Sequence, residues 1–203
     1  MNGDDTLPKG PGGILKGLAE PSRATPITAD WSNEALLRLD SICISLGCKA
    51  ADMLLVMMNE SDARAQAYNS NGGASGLIQI MPSNAKWLGI SDMAVFRGLS
   101  PWAQLPYVKK YYAGHMGKLV NATAIYMATF VPAYMAHAGT PDWVIARKGN
   151  PIYDSNRGFD RAGKGWIQVS DLTVALGRQL NNHRYLELVA RLEELLDRYG
   201  RQH

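Results

Sequence analysis

This 203-residue chain has few cysteines, little net charge and no long uninterrupted apolar run, and each shortage removes a class of protein. Its two cysteines, Cys43 and Cys48, stand five apart, with no further Cys and no close His to complete a metal-ligand set. Neither a disulfide framework nor a structural metal site is expected, and the pair reads as buried or free thiols. A formal balance of +3 without a dense Lys/Arg cluster argues against a nucleic-acid partner, while it suits an anionic polymer. The opening residues, Met1 to Gly10, have neither a basic segment nor an apolar core, so no signal peptide is expected. Residues 119–141 contain no Asp, Glu, Lys or Arg over 23 positions, yet Asn121, Thr123, Thr129, Pro132 and His137 make them too polar to span a membrane. A helix buried at the centre of a helical domain is expected there, and not an integral membrane protein.

What is present is 46% hydrophobic and 19% charged residues, enough for one sizeable core and a small appendage. Residues 1–29 hold four of the ten prolines and five glycines without apolar periodicity, and read as an extended arm or linker. A domain is expected over 30–150, and a C-terminal loop and helix over 151–203. Ser32 or Asp30 caps a helix with Ala35, Leu36, Leu39, Ile42 and Cys43 on one face, and Gly47 ends it. A second helix covers roughly 50–61. Pro82 and Ser83 open a short helix through Leu88, stopped by Gly89, and Pro101 starts another that runs to about Lys118. Arg184 to Arg201 reads as an amphipathic helix, with Tyr185, Leu188, Leu192, Leu195 and Tyr199 along one side. Glu187–Arg191 and Glu194–Arg198 are spaced as i,i+4 ion pairs. Such a face packs either on its own domain or on a partner.

The chemistry concentrates in residues 60–82. Glu60 closes the apolar run Met53-Leu54-Leu55-Val56-Met57-Met58. Burial disfavours the charged form of a carboxylic acid, so a Glu in that setting stays protonated near neutral pH and has a proton to give to a leaving oxygen. A polar, glycine-rich loop follows, then a short apolar segment carrying one amide, Gln79. The pattern predicts an acid at a helix end facing a substrate-binding hairpin.

Glu60-Ser61, Asn69-Ser70 and Gly73-Ala74-Ser75-Gly76-Leu77-Ile78-Gln79-Ile80-Met81-Pro82 resemble the soluble-type lytic transglycosylases, whose pattern is Glu-Ser, a small polar residue, then Gly-Ala-x-Gly-Leu-Met-Gln-Ile-Met-Pro. Ser83-Asn84-Ala85 and Gln104-Leu105-Pro106-Tyr107-Val108, followed by a Tyr-rich helix, resemble phage-encoded members. The resemblance covers residues 45–140 well and 141–172 more faintly. It implies a mainly α, lysozyme-like (goose-type/lytic transglycosylase) helical domain with a small β-hairpin, here with an N-terminal extended arm and a C-terminal helix. It implies peptidoglycan as substrate and cleavage between N-acetylmuramic acid and N-acetylglucosamine, with closure of a 1,6-anhydro ring by the sugar's own hydroxyl. Neither cofactor nor metal is called for. Glu60 takes the place of the catalytic acid and base. Ser61 steadies the carboxylate or the local turn, with helix capping as the alternative. Asn69 and Ser70 fall where the family contacts the N-acetyl group, and Ile78, Gln79 and Met81 where it lines the sugar cleft. Gln79 either bonds substrate or satisfies loop backbone.

Three departures bear on this. Glu60-Ser61 is followed by Asp62-Ala63-Arg64-Ala65 where the family commonly has Gly/Arg-Phe-Asn-Pro. The family's later Ala-Tyr-Asn is represented by Ala124-Ile125-Tyr126-Met127-Ala128, so Tyr126 is either a substrate-binding residue or core packing. Asp62 introduces a second carboxylate near Glu60, as a muramidase-type hydrolase would need. Asp160 to Asp171 has the length of a calcium loop, but Ala162 and Lys164 stand where oxygen ligands belong, so no bound ion is expected. Without an export signal, the expected setting is a phage virion acting on the host periplasm and cell wall. The arm and the C-terminal helix would then contact virion or tail proteins. The other reading is a structural tail or virion component that keeps a wall-binding cleft and does little catalysis.

Overall fold

The structure, a computed structural model, describes residues 28–200, so all of the expected arm but its last two residues lies outside the described residues. The Ser32 hydroxyl accepts from the Ala35 amide at 3.1 Å and starts α1 (Asn33–Leu46), which Gly47 closes at φ 75°. The left-handed closure is one that glycine adopts without penalty. α2 (Ala50–Ser61) follows at 109° to α1 and buries Met53, Leu54, Leu55, Val56, Met57 and Met58. A helix apolar nearly all round belongs at the centre of a core, and α2 has α1, α6, α8 and α9 packed about it. Among the described residues no single helix is long and apolar enough to cross a membrane; α1 and α2 together meet that length only across their bend.

Beyond a loop come α3 (Pro82–Leu88), closed by Gly89 as the sequence predicts, α4 (Met93–Arg97) and α5 (Pro101–Tyr112). α5 ends six residues before Lys118, passing into a 3-10 turn at Ala113–His115. Pro106 lies inside α5 and has no amide proton to offer the Trp102 carbonyl. Arg38 of α1 supplies the missing donor at 3.1 Å, with its guanidinium 4.0 Å from the Trp102 ring centre. α6 (Ala122–Phe130) is the buried helix expected over 119–141, but much shorter. Asn121 caps it, and the chain passes at Pro132 into 3-10 turns over Pro132–His137. β1 (Val144–Arg147) pairs antiparallel with β2 (Trp166–Gln168), setting Ala146 opposite Ile167 and Arg147 opposite Trp166. Their connection carries α7 (Pro151–Ser155) and the calcium-shaped loop. This small sheet is not where the hairpin is expected. Residues 68–82 contribute only isolated bridges, Tyr68 with Ser75 and Ser75 with Ile80.

α8 (Val169–Gly177) returns against α6 and α2, and α9 (His183–Tyr199) packs on α1 and α2. Tyr185, Leu188, Leu192 and Leu195 join the same core as Trp31 and α2, whereas Tyr199 is exposed, which corrects its place on the buried side. Glu194 and Arg198 pair at 2.6 Å. Glu187 and Arg191 do not pair with each other. Glu187 accepts the Thr28 hydroxyl, and Arg191 donates to the carbonyls of Thr28 and Trp31 at 3.1 and 2.9 Å, fastening the first described residues to α9. Cys43 and Cys48 are free thiols; Cys43 is buried, and a hydrogen bond between the two raises it well above its usual range and lowers Cys48.

Candidate active site

Glu60 occupies the last turn of α2, and the chain beyond it is under strain. Asp62 and Ala63 both have left-handed backbone, φ 53° and 51°, which costs non-glycine residues energy and persists only where the surroundings enforce it. Here they do. The Trp31 indole donates to the Ala63 carbonyl at 2.8 Å, and Arg184 donates to the carbonyls of Asp62 (2.7 Å) and Ala63 (3.2 Å) while paired with Asp30. This is the Asp62-Ala63-Arg64-Ala65 departure, and it leaves Asp62 exposed. Ser61 is buried, and its hydroxyl serves the carbonyls of Leu77 (2.8 Å) and Met57 (3.0 Å), so it ties the end of α2 to the loop. Its described bonds do not reach the Glu60 carboxylate.

The loop is built around one fully buried amide. Gln104 of α5 accepts from the Leu77 amide at 3.1 Å and donates to the carbonyls of Ala65 (2.7 Å) and Phe96 (3.0 Å). The sequence places Gln104 in a recognisable stretch but gives no sign that it is the hub; a lone amide among apolar neighbours is the only hint. Gly76 lets that side chain approach, since a Cβ there would lie 2.5 Å from Gln104 Oε1 and 2.7 Å from the Phe96 ring. Ile78, expected to line the cleft, is instead packed in the core at 1% exposure, because the loop turns its apolar side inward. The Gln79 amide bonds the Gly76 carbonyl at 3.0 Å, so of its two expected roles the structure displays the loop-satisfying one. Asn69 and Ser70 are exposed at the tip, where the Asn69 side-chain oxygen accepts from the Asn71 amide at 3.0 Å. Met81 is exposed on the rim.

Tyr126 is the residue brought to Glu60. Its phenol acts on the Glu60 carboxyl and is itself influenced by Asn59 and Glu60, and it is buried. Burial pushes the Glu60 carboxyl up to about 7, and the Tyr126 hydroxyl partly offsets that. Burial also raises the phenols of Tyr111 and Tyr112, and the charge of Glu60 adds to both, so these α5 tyrosines share its surroundings. Periodicity reads them only as core residues, and Asn59 gives no signal at all. Tyr126 stacks on Phe130 (centres 6.1 Å apart, planes 13° apart), and Phe159 meets both rings at 6.1 and 5.4 Å. Beside Tyr111, a cavity of about 350 Å³ is lined by Asn84, Trp87, Lys110 and His115 among others, with the Trp87 ring 6.0 Å from that of Tyr111. That is room for a sugar ring, with an exposed indole to stack on. A groove of about 410 Å³ between α1 and α9 flanks the opposite end of α2, on the order of 15 Å of helix from Glu60.

Residues 47–134 match the family described as Transglycosylase SLT domain. An SLT domain is present over this part of the chain. The matched stretch holds Glu60, the loop, Gln104, Tyr111 and Tyr126. It supports a glycan-cleaving activity in general terms and makes a peptidoglycan substrate plausible. No curated protein and no solved structure matches the chain.

The calcium-shaped loop lies outside the matched SLT segment. Asp160 is buried and accepts from the Tyr153 hydroxyl (2.8 Å) and the amides of Lys164 (2.8 Å) and Gly165 (2.7 Å). The Lys164 ammonium sits on both oxygens of Asp171, at 2.9 and 2.8 Å. Among the described residues no group of three His, Cys, Asp or Glu is arranged to hold a metal ion.

Proposed function

We propose that this chain is a peptidoglycan lytic transglycosylase in which Glu60 performs both proton transfers. The observation that carries the proposal is a single acid raised to about 7 by burial, with Tyr126 alone opposing. An acid at that value is protonated often enough near neutral pH to donate, and its conjugate base is strong enough to accept. Glu60 gives its proton to the oxygen linking N-acetylmuramic acid to N-acetylglucosamine as the bond to the anomeric carbon breaks. The sugar's 6-hydroxyl then bonds to that carbon and returns its proton to Glu60, leaving a 1,6-anhydro end and the acid restored. No water is consumed, and the intramolecular hydroxyl reacts at high effective concentration.

Water-dependent cleavage would call for a second carboxylate facing the sugar. No acidic neighbour contributes to the shift of Glu60, and Asp62 is exposed on backbone that Arg184 holds. Asn69, Ser70 and Met81 are exposed on the loop and available to substrate, with Tyr126 at the acid. Ser61 and Gln79 support the same loop. The setting we propose is a phage virion acting locally on the host wall, supported by the resemblance of residues 83–112 to phage-encoded members. Contacts with tail proteins through residues 1–29 and the exposed side of α9, which carries Leu186 and Tyr199, belong to the same proposal. Mass spectrometry of purified peptidoglycan after treatment with wild type and Glu60→Gln tests the chemistry. Anhydromuramyl ends from wild type alone are expected. Reducing ends would make the protein a muramidase, and no cleavage by wild type would leave a structural role.

A further inference from the structure

The calcium-shaped loop has no part in the chemistry so far, yet it is braced at both ends. Asp160 fixes its start to α7 through Tyr153 and folds residues 160–165 onto itself through two amides. Lys164 fixes its end, because Asp171 also accepts from the Gln168 amide at the start of α8. An ammonium that bonds both oxygens of one carboxylate does here what a cation does in a loop of this shape: it draws the two halves together. The residue next to the pinned Asp160 is Phe159, and its ring lies on Tyr126 and Phe130, both on α6. Centres at 5.4 and 6.1 Å are within the range of favourable aromatic pairing. A segment outside the SLT match thus touches the side chain that opposes burial at Glu60.

We propose that Phe159 is a positioning residue for the acid, held by the Lys164-braced loop so that its ring fixes Tyr126 and keeps water from Glu60. This rests on the reading of Glu60 as the proton donor. Phe159 touches neither substrate nor Glu60; it acts through Tyr126. Removing its ring has two opposed effects on Glu60. Water gains access, which favours the carboxylate, and a loosened Tyr126 donates less well, which disfavours it. Burial is the larger influence at Glu60, so the first effect prevails. The titratable groups facing Glu60 are Tyr126 from α6 and Tyr111 and Tyr112 from α5, all raised phenols that stay neutral through the relevant range.

The Glu60 titration is read directly from the carboxyl carbon shift of full-length protein labelled with ¹³C-glutamate, with Glu60→Gln identifying the signal. Wild type is expected to titrate near 7. Phe159→Ala is expected to lower the midpoint by about one unit, and Phe159→Tyr to restore it. Phe159→Leu, which keeps apolar bulk and is the milder change, is expected to fall between and carries the same test should the alanine variant unfold. A midpoint unchanged in Phe159→Ala or Phe159→Leu overturns the proposal even if thermal stability drops, and so does failure of Phe159→Tyr to restore it. The readout is independent of turnover. A wild type that does not cleave glycan would strike the proposed reaction, and the titration would still decide the role of Phe159.

Discussion

Two carboxylates, Glu60 and Asp160, have been given opposite fates. Burial pushes both upward. At Glu60 it meets one phenol and prevails, leaving the group near 7. At Asp160 it is outweighed by the Gly165 amide, the Tyr153 hydroxyl, the Lys164 amide and the Lys164 charge, and the carboxyl falls below its ordinary range. The two differ in the donors around them. A carboxylate ringed by donors is a fixed charge that organises chain, whereas one left with a single donor is a proton store. Amide substitution at each site separates these roles most sharply.

Glu60→Gln is expected to have the largest effect on rate, a loss of about a thousandfold or more in muropeptide release, because no neighbouring acid is placed to replace it. It is also expected to stabilise the protein. A folded-state value raised from 4.5 to about 7 gives stability that is full below pH 4.5 and is lost as pH rises to 7. Above pH 7 the amide variant, free of that penalty, should be more stable by about 3 kcal/mol. Urea unfolding at pH 5 and pH 8 checks it, with the gain expected chiefly at pH 8. Equal stability at both would mean that Glu60 is well solvated.

Asp160→Asn should act in the opposite direction. Its lowered value gives stability that is present above the usual carboxylate range and is lost as pH falls below that range through the lowered folded-state value. The amide is a weaker acceptor for the Tyr153 hydroxyl and the two backbone amides, and it turns a donor toward one of them. A fall of several degrees in Tm at pH 7 is expected, narrowing below about pH 4. If Asn is tolerated at neutral pH, the loop is held by Lys164–Asp171 and not by Asp160.

Much of this was legible in the sequence, and the rest was hidden for identifiable reasons. Ser32, Gly47, Pro82, Gly89 and Pro101 mark helix ends through local chemistry, so α1, α2, α3 and the start of α5 could be placed from sequence. The long uncharged stretch at 119–141 misled as to length, because hydrophobicity reports burial and not continuity; Pro132 was the signal against a single helix. Tyr199 was placed on the buried side by periodicity, which cannot see how little of the last turn of α9 is covered; its ring is exposed. Glu60 was legible because an acid after six apolar residues is a local pattern. Its surroundings were not, since Gln104, Tyr111 and Phe159 stand 44, 51 and 99 residues along the chain from it. The calcium-shaped spacing of residues 160–171 was visible, but not that Lys164 would reach Asp171, which depends on a side chain folding back inside the loop.

A smaller effect is expected at Ser61→Ala. Its hydroxyl is the described donor to a Leu77 carbonyl that lies in the core, and an acceptor left without a partner there costs about 1 to 2 kcal/mol. Because the bond ties the end of α2 to the loop, cleavage should fall with it, more at high temperature than at low. Equal loss at all temperatures would point to a direct role in substrate binding.

Tyr126→Phe should give the smallest and most discriminating change. The ring, its stack on Phe130 and Phe159 and the exclusion of water all remain, while the hydroxyl that favours the Glu60 carboxylate is removed. Burial then acts unopposed, so the alkaline limb of the pH–rate profile, which marks ionisation of the proton donor, should move up by about half a unit. Phe159→Ala is expected to move the same limb down. Opposite shifts from two residues in contact would separate hydrogen bonding from burial at a single acid. A downward shift for both would mean that Tyr126 acts on Glu60 chiefly as a wall, and that its hydroxyl is engaged mainly with Asn59.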